Sequence, residues 1–374
     1  MTKPIQIGYP EVDDHQSLLM RALTVIPGKP GSVAVSDVPD PSPQADELLV
    51  EGIALGICGT DKEIVAGEYG SAPSGFDQLI LGHESLGRVK QTPDDSRFTV
   101  GDLVVGVVRR PDPVPCGACA RGEFDMCRNG RYTERGIKGL PGYGSQLWCV
   151  SIDYAVRLTP SLERVGMLLE PTSVLAKAWE QIDRIGNRSW FDPQKVLVTG
   201  AGPIGLLAAL IGVQRGLQTH VLDQVTEGVK PDLVKDLGAT YHTDDIDTVA
   251  GKLQPDVVIE ATGAKSLVFG ALANTAGYGI TCLTGVSPEG RHLTVDAGAI
   301  NREIVLENDA VVGSVNANLR HYQSAAEALE RADSAWLERL ITRRVPLEQA
   351  TEAFDDSGDV EGDVKVVIDL DGPA

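Results

Sequence analysis

Cys58 and His83 offer a thiolate and an imidazole, two of the donors zinc prefers. Both lie among glycines and turn residues in "GICGTDKEIVAGEYGSAPSGFDQLILGHESLG", not on an apolar helical face. A third ligand has two candidates: Glu84, directly after His83, and Glu170 in "LLEPTSV", an acid that closes an apolar run before Pro171. A zinc held by three protein ligands keeps an open position, where it can lower the pKa of an entering hydroxyl. Taken singly, a Cys is more often core filler and a His a satisfied polar group. The pair gains weight from the dinucleotide motif downstream.

A second cluster, Cys116, Cys119 and Cys127, has the spacing C-x2-C-x7-C within "RRPDPVPCGACARGEFDMCRNG". That spacing fits a structural zinc lobe, but a closed site needs four ligands. Cys149 and Cys282 sit in apolar runs that read as strand interiors, so Asp112, four residues before Cys116, is expected as the fourth donor. The alternative is a metal-free loop. A nucleic-acid zinc ribbon is excluded by the missing basic footprint.

The third constellation is "VLVTGAGPIG", with G-x-G-x-x-G at Gly200, Gly202 and Gly205. It follows an apolar strand-like run and opens a helix-like one at Pro203 and Ile204, the context that makes the motif a dinucleotide site. Gly200 permits the tight turn, Gly202 the close approach of backbone N–H groups to a pyrophosphate, and Gly205 the helix–strand packing. Asp223 ends the next strand, "THVLD", where an acid accepts hydrogen bonds from the ribose hydroxyls of NAD and repels the 2′-phosphate of NADP. NAD is therefore favoured, with NADP use left open. Thr262 and Gly263 in "EATG", and Thr284, Gly285 and Val286 in "LTGV", close later strands, where ligands collect in such sheets.

These residues need two kinds of scaffold. Up to about residue 175 the chain is rich in Gly, Pro and short β-branched runs, the texture of a loop-rich β domain. From "KVLVTG" at Lys195 onward, strand-like and helix-like runs alternate, which implies a parallel sheet with helices on both faces. "HYQSAAEALERA", "SAWLERLITR" and "LEQATEAFDD" read as helices and "VKVVIDL" as a closing strand that returns to the first domain. The expected domains are residues 1–188, 189–316 and a returning segment 317–374. The chain has 374 residues, 42% hydrophobic and 23% charged, with a formal net charge of −20, which repels nucleic acid and anionic membrane alike. No signal peptide is visible, and the longest apolar run, "PIGLLAALIGV", is too short to span a bilayer. A cytoplasmic protein is expected, whose cysteines are ligands or core residues.

"GHESLG", "GICGTD", Gly101-Asp102 and "GAGPIG" together resemble the zinc-dependent medium-chain dehydrogenases, in the right order over nearly the whole chain. Within that family the chain is most similar to the glucose 1-dehydrogenase branch. The resemblance implies a GroES-like β-rich catalytic domain plus a Rossmann doubly wound domain. It implies a catalytic zinc held by Cys58, His83 and Glu170, with Glu84 as neighbour or alternate ligand. It also implies a proton relay beginning at Thr60 in "CGTD" and sugar contacts from Glu134 in "YTERGIKGLPGYGSQ". Asn316 in "GSVN" is placed near sugar and nicotinamide. Relatives have four Cys in the structural lobe; here Asp112 stands for the first and an extra residue precedes Cys116. The implied reaction oxidises the C1 hydroxyl of an aldose, most simply β-D-glucose to the 1,5-lactone, with hydride transfer to NAD(P)+. The implied assembly is a dimer or tetramer. A polyol, threonine or alcohol dehydrogenase would keep the fold and change the substrate, and would gain nothing from an acid at Glu134. A non-catalytic NAD(P)-binding protein would lack Cys58 and His83.

Overall fold

In the strand Glu47–Ile57, alternate positions are buried as far as Gly52 and the last four are all buried. It is the central strand of a seven-stranded sheet. Glu84–Gln91 pairs with it on one side and Lys365–Asp369 on the other, both antiparallel, so the closing strand does return to the first domain. The computed structural model describes residues 18–288, 290, 292–355 and 363–371. Leu48, Val50 and Leu55 pack with Leu23, Val25, Tyr143 and Trp148 in the main core cluster of this sheet. Burial of each such side chain is worth about 1.5–3 kcal/mol. A small three-stranded sheet joins Arg109–Arg110, Thr133–Arg135 and Gly139–Leu140.

The second unit is a six-stranded parallel sheet. From one edge, its strands are Thr240–His242, Gln218–Leu222, Lys195–Thr199, Val257–Glu260, Ile280–Leu283 and Ala310–Gly313. Numbered along the chain, that order is 3-2-1-4-5-6, the doubly wound dinucleotide-binding arrangement. Val196, Leu197 and Val198 are all fully buried, as expected where helices cover both faces. The helix Pro203–Gln214 has eight buried residues, from Gly205 to Gly212, and the chain then turns at Gly216 with φ 79°.

Among the described residues, one unit takes in those up to 170, 318–322 and those from 341 on, and the other those of 171–317 and 323–340. Two expected boundaries therefore move. Residues 171–188 group with the parallel sheet: on the helix Leu169–Gly186, Asp183 pairs with Arg215, whose guanidinium lies over Trp179. So do the C-terminal helices: Ala328 O accepts from Gln214, and Trp336 Nε1 donates to Leu233 O. "SAWLERLITR" is a helix only to Leu340; Ile341–Pro346 is a strand paired with Lys365–Asp369, as its β-branched Ile, Thr and Val favour. "LEQATEAFDD" forms a 3-10 turn segment, Leu347–Phe354. Helices Ile246–Leu253 and Ala297–Glu307 and the strand Thr240–His242 are additional to those expected. Among the described residues, no helix is long and apolar enough to cross a membrane.

Candidate active site

The central strand delivers Cys58 to the N-terminus of the helix Gly59–Val65. Cys58 and Asp61 stand at capping-box spacing, and Asp61 Oδ2 accepts from the Cys58 backbone N–H at 3.0 Å. The other oxygen of Asp61, which is fully buried, lies 3.4 Å from His83 Nδ1. The imidazole is thereby turned so that Nε2 is 3.1 Å from Cys58 Sγ. A carboxylate behind a ligating histidine fixes its tautomer and orientation. Gly82 reaches φ 93° just before His83, and any Cβ there would strike Leu55. Burial lowers the His83 pKa, but Cys58 and Asp61 outweigh it and hold it well above 6.5.

Ligand atoms of Cys58, His83 and Glu84 all lie within 4.8 Å of one another. Tetrahedral bonds of zinc to sulfur and nitrogen imply a separation of about 3.5 Å between those donors, close to what is seen. The donor set fits zinc. Glu84 is also ion-paired with Lys365 of the closing strand, each side chain 2% exposed. Lys365 Nζ donates to Ile57 O at 2.9 Å. Gly56 is opposite Glu84 across the sheet, and a Cβ there would collide with its carboxylate. Glu170, half-buried in the first turn of its helix, is outside that group of ligand atoms. Burial pushes its carboxyl up to about 7 against the pull of His83. Thr60 is half-buried in the first turn after Cys58.

Glu134 belongs to the same unit. Its strand, Thr133–Arg135, places it directly across from Arg109. Arg109 Nε and Nη2 both donate to Glu134 Oε1, at 3.0 and 2.8 Å. The turn after Glu134 reaches the His83 loop: Gly136, at φ 70°, packs so closely on the backbone of Gly82 that a Cβ would collide with it. Tyr143 N–H also donates to Gly82 O at 2.9 Å. These contacts seat the segment after Glu134 against the peptide that precedes His83.

Cys116, Cys119 and Cys127 converge as a three-thiol group, with Cys116 and Cys119 sulfurs 3.7 Å apart. The Arg128 backbone N–H helps draw the Cys116 thiol down to about 6, whereas burial pushes Cys119 up. Asp112, expected as fourth ligand, is outside that group of ligand atoms. Its carboxylate accepts from the Val114 backbone at 2.8 Å, from Asn129 at 2.9 Å and from Arg131 at 3.3 Å. Its backbone N–H donates towards the Cys119 sulfur. A carboxylate next to local donors is captured by them, which spacing alone does not reveal.

In the second unit, Gly200 takes φ 93°, and a Cβ on Gly205 would strike the Gly200 carbonyl. Gly202, the N-cap of the helix Pro203–Gln214, has no heavy atom near its Cβ direction, leaving room for a ligand against the backbone. Asp223 accepts from Ala201 N–H at 2.6 Å and Val225 N–H at 3.0 Å. The later loops are tied by the fully buried Glu260, which takes donors from Thr262 N–H at 2.8 Å, Gly263 N–H at 3.1 Å and the Thr262 hydroxyl. Thr284 Oγ1 donates to Glu260 O at 2.8 Å, Gly285 packs against Gly263, and Val286 is 76% exposed. Asn316 sits at φ 55°, its Oδ1 buried with no hydrogen-bond partner among the described residues.

Asp61, Arg109, Glu260 and Lys365 touch the candidate residues without having been singled out in the sequence, although Asp61 and Glu260 stand inside the quoted "GICGTD" and "EATG". The capping-box spacing of Asp61 was a usable signal; the other three depend on strand pairing and loop packing.

A GroES-like β unit bearing a Cys, His and acid cluster, in one chain with a doubly wound sheet, defines a zinc-dependent dehydrogenase of the medium-chain type. Residues 44–160 match the alcohol dehydrogenase GroES-like domain, and residues 163–370 match the glucose dehydrogenase C-terminus. The glucose 1-dehydrogenase of Methanocella arvoryzae is 41% identical over 360 residues, 94% of this chain and 99% of that protein. That of Thermoproteus tenax is 40% identical over 359 residues, with the same coverage. The structure of Haloferax mediterranei glucose dehydrogenase in complex with NADP, Zn and gluconolactone superposes with a TM-score of 0.85 at 34% identity, over 95% of this chain and 100% of that one. The chain belongs to the glucose 1-dehydrogenase branch of the zinc-containing medium-chain dehydrogenase/reductase family.

Proposed function

We infer that the chain is an NAD(P)-dependent glucose 1-dehydrogenase, oxidising β-D-glucose at C1 to the 1,5-lactone. The observation that supports this reading is the packing of Gly136 and Tyr143, from the segment that carries Glu134, against Gly82 beside His83, with Glu134 taken as the acceptor for sugar hydroxyls. A site for simple alcohols gains nothing from an acid so placed, whereas a sugar hydroxyl left unpaired in an apolar pocket is strongly disfavoured. Cys58, His83 and Glu170 would hold the catalytic zinc, with Glu84 as alternate ligand restrained by Lys365. When bound, zinc would lower the pKa of the C1 hydroxyl, and NAD(P)+ would supply the hydride acceptor. The C1 hydroxyl proton leaves by way of the Thr60 hydroxyl. Glu134 accepts from ring hydroxyls and Asn316 offers an amide to them. Gly200, Gly202, Pro203, Ile204 and Gly205 cradle the pyrophosphate, and Thr262, Gly263, Thr284, Gly285 and Val286 line the later loops.

NAD is the preferred cofactor in this reading, supported by the Asp223 charge fixed at a strand end; NADP is tolerated. A second zinc in the Cys116, Cys119 and Cys127 lobe is supported by the converging thiols, and Asp112 would have to leave its present partners to join it. Self-association, as a dimer or tetramer, is supported by the exposed edge strand Ala310–Gly313 with Val305, Leu306, Val311 and Val315 outward, all at least 44% exposed. A cytoplasmic setting is supported by six free cysteines, two buried and four grouped as ligand candidates.

The test is NAD and NADP reduction across a panel of aldoses, with His83→Ala alongside. Glucose should be among the best substrates. The variant should lose turnover and zinc while retaining cofactor binding, because the cofactor loops belong to the other unit. A zinc-free His83→Ala protein with full activity refutes the ligand assignment.

A further inference from the structure

We propose that Arg109 is a positioning residue for sugar recognition: it pins one oxygen of Glu134 and leaves the other to the substrate. The proposal rests on the reading of Glu134 as a sugar ligand. Arg109 and Glu134 are cross-strand partners, so their side chains leave the small sheet on the same face. Both guanidinium donors, Nε and Nη2, converge on Oε1, and Oε2 takes no donor among the described residues. Two donors on one oxygen restrain the carboxylate plane, so the syn and anti lone pairs of Oε2 keep fixed directions.

Arg109 is itself immobilised. It is 7% exposed, its guanidinium lies 3.6 Å from the centroid of Tyr132, and Nη1 donates to Asp125 O at 3.3 Å. Asp125 sits between Cys119 and Cys127, and its Oδ1 accepts from Asn318 Nδ2 at 2.6 Å. The cysteine lobe is thus linked to the sugar-facing carboxylate through one guanidinium. An arrangement with three directed donors and a stacked face uses the planar fork that lysine lacks. A buried ion pair is a weak source of stability, since apolar replacements of similar volume are often neutral or better. Its orientation of Glu134 gives the pair a purpose that stability does not.

The experiment compares Arg109→Met, Arg109→Lys, Glu134→Gln and the double variant Arg109→Met/Glu134→Gln. Steady-state kinetics would use glucose, monodeoxyglucoses and a short-chain alcohol. Arg109→Met should raise the KM for glucose about tenfold, the value of one charge-assisted hydrogen bond, with kcat changed by less than about twofold. Arg109→Lys should fall between wild type and Arg109→Met. The double variant should be no worse than Glu134→Gln, because both act through the same oxygen. The deoxyglucose that evades the Glu134→Gln penalty should also evade that of Arg109→Met.

If Glu134→Gln raises KM but the Arg109 variants do not, or if the penalties add, the Arg109 inference falls and the reading of Glu134 survives. Equal losses of Arg109→Met on glucose and alcohol mean a bracing role only and overturn it too. If Glu134→Gln leaves the glucose KM unchanged, the reading of Glu134 fails and takes the inference with it. Should Arg109→Met not fold, Arg109→Lys carries the same comparison, and a wild-type KM for it overturns the proposal.

Discussion

Replacing Lys365 with Met should destabilise the first unit severely, and the cost follows from burial. Glu84 is 1% exposed and Lys365 2%, so the variant leaves a carboxylate out of water without its cation. Removing one partner of a buried ion pair costs about 3–5 kcal/mol. In a unit of this size each kcal/mol lowers the melting temperature by about 2–4 °C, giving a drop of roughly 6–20 °C. Scanning calorimetry of chelator-treated protein reads this directly. The double variant Glu84→Gln/Lys365→Met should recover most of the loss, because a neutral amide has no charge to strand. Added zinc should narrow the gap between Lys365→Met and wild type, because Glu84 is among the converging ligand atoms. A Lys365→Met protein melting within about 2 °C of wild type, or a double variant as unstable as the single, would refute the reasoning.

Two further outcomes concern the second unit. Asp223→Ser removes the charge opposing a 2′-phosphate and also releases the Ala201 and Val225 N–H groups. The ratio of kcat/KM for NADP to that for NAD should rise about tenfold or more, while NAD use itself weakens; a wild-type enzyme that already prefers NADP by a wide margin contradicts the assignment. His220 Nδ1 and His242 Nε2 are 2.9 Å apart, with burial lowering both pKa values and His242 further lowering that of His220. Depressed folded pKa values mean that protonation favours unfolding: the stability is present above about pH 6.5 and is lost as pH falls through the folded values. His220→Gln/His242→Gln should therefore lose less melting temperature than wild type between pH about 7.5 and about 5; parallel losses in calorimetry would show that the pair does not titrate as described.

The parts of this protein legible along the chain are those whose chemistry is local. G-x-G-x-x-G after an apolar run is a statement about φ at Gly200 and space at Gly202, and the structure has both. Cys58 and His83, in turns at strand ends, were recognisable because turn residues flank ligands that must leave the core. The alternation after Lys195 foretold the parallel sheet, since strands buried on both faces and the helices between them carry different periods. At Asp112 spacing and local contacts name different partners: its distance in sequence from Cys116 suits a ligand, and Asn129, Arg131 and the Val114 N–H hold its carboxylate.

By itself, then, the sequence determined the class of chemistry: a soft metal site in a β-rich half and a dinucleotide loop in an alternating half, each written in contiguous residues with their own backbone and ligand preferences. Charge pairing was decided only in three dimensions. Whether Glu84 meets Lys365, and which oxygen of Glu134 meets Arg109, depend on the register in which Lys365–Asp369 and Arg109–Arg110 join their sheets. A shift of one residue would turn each side chain to the opposite face and dissolve both pairs. Nothing near Lys365 or Arg109 in the chain specifies that register; it is imposed by the core the strands complete together.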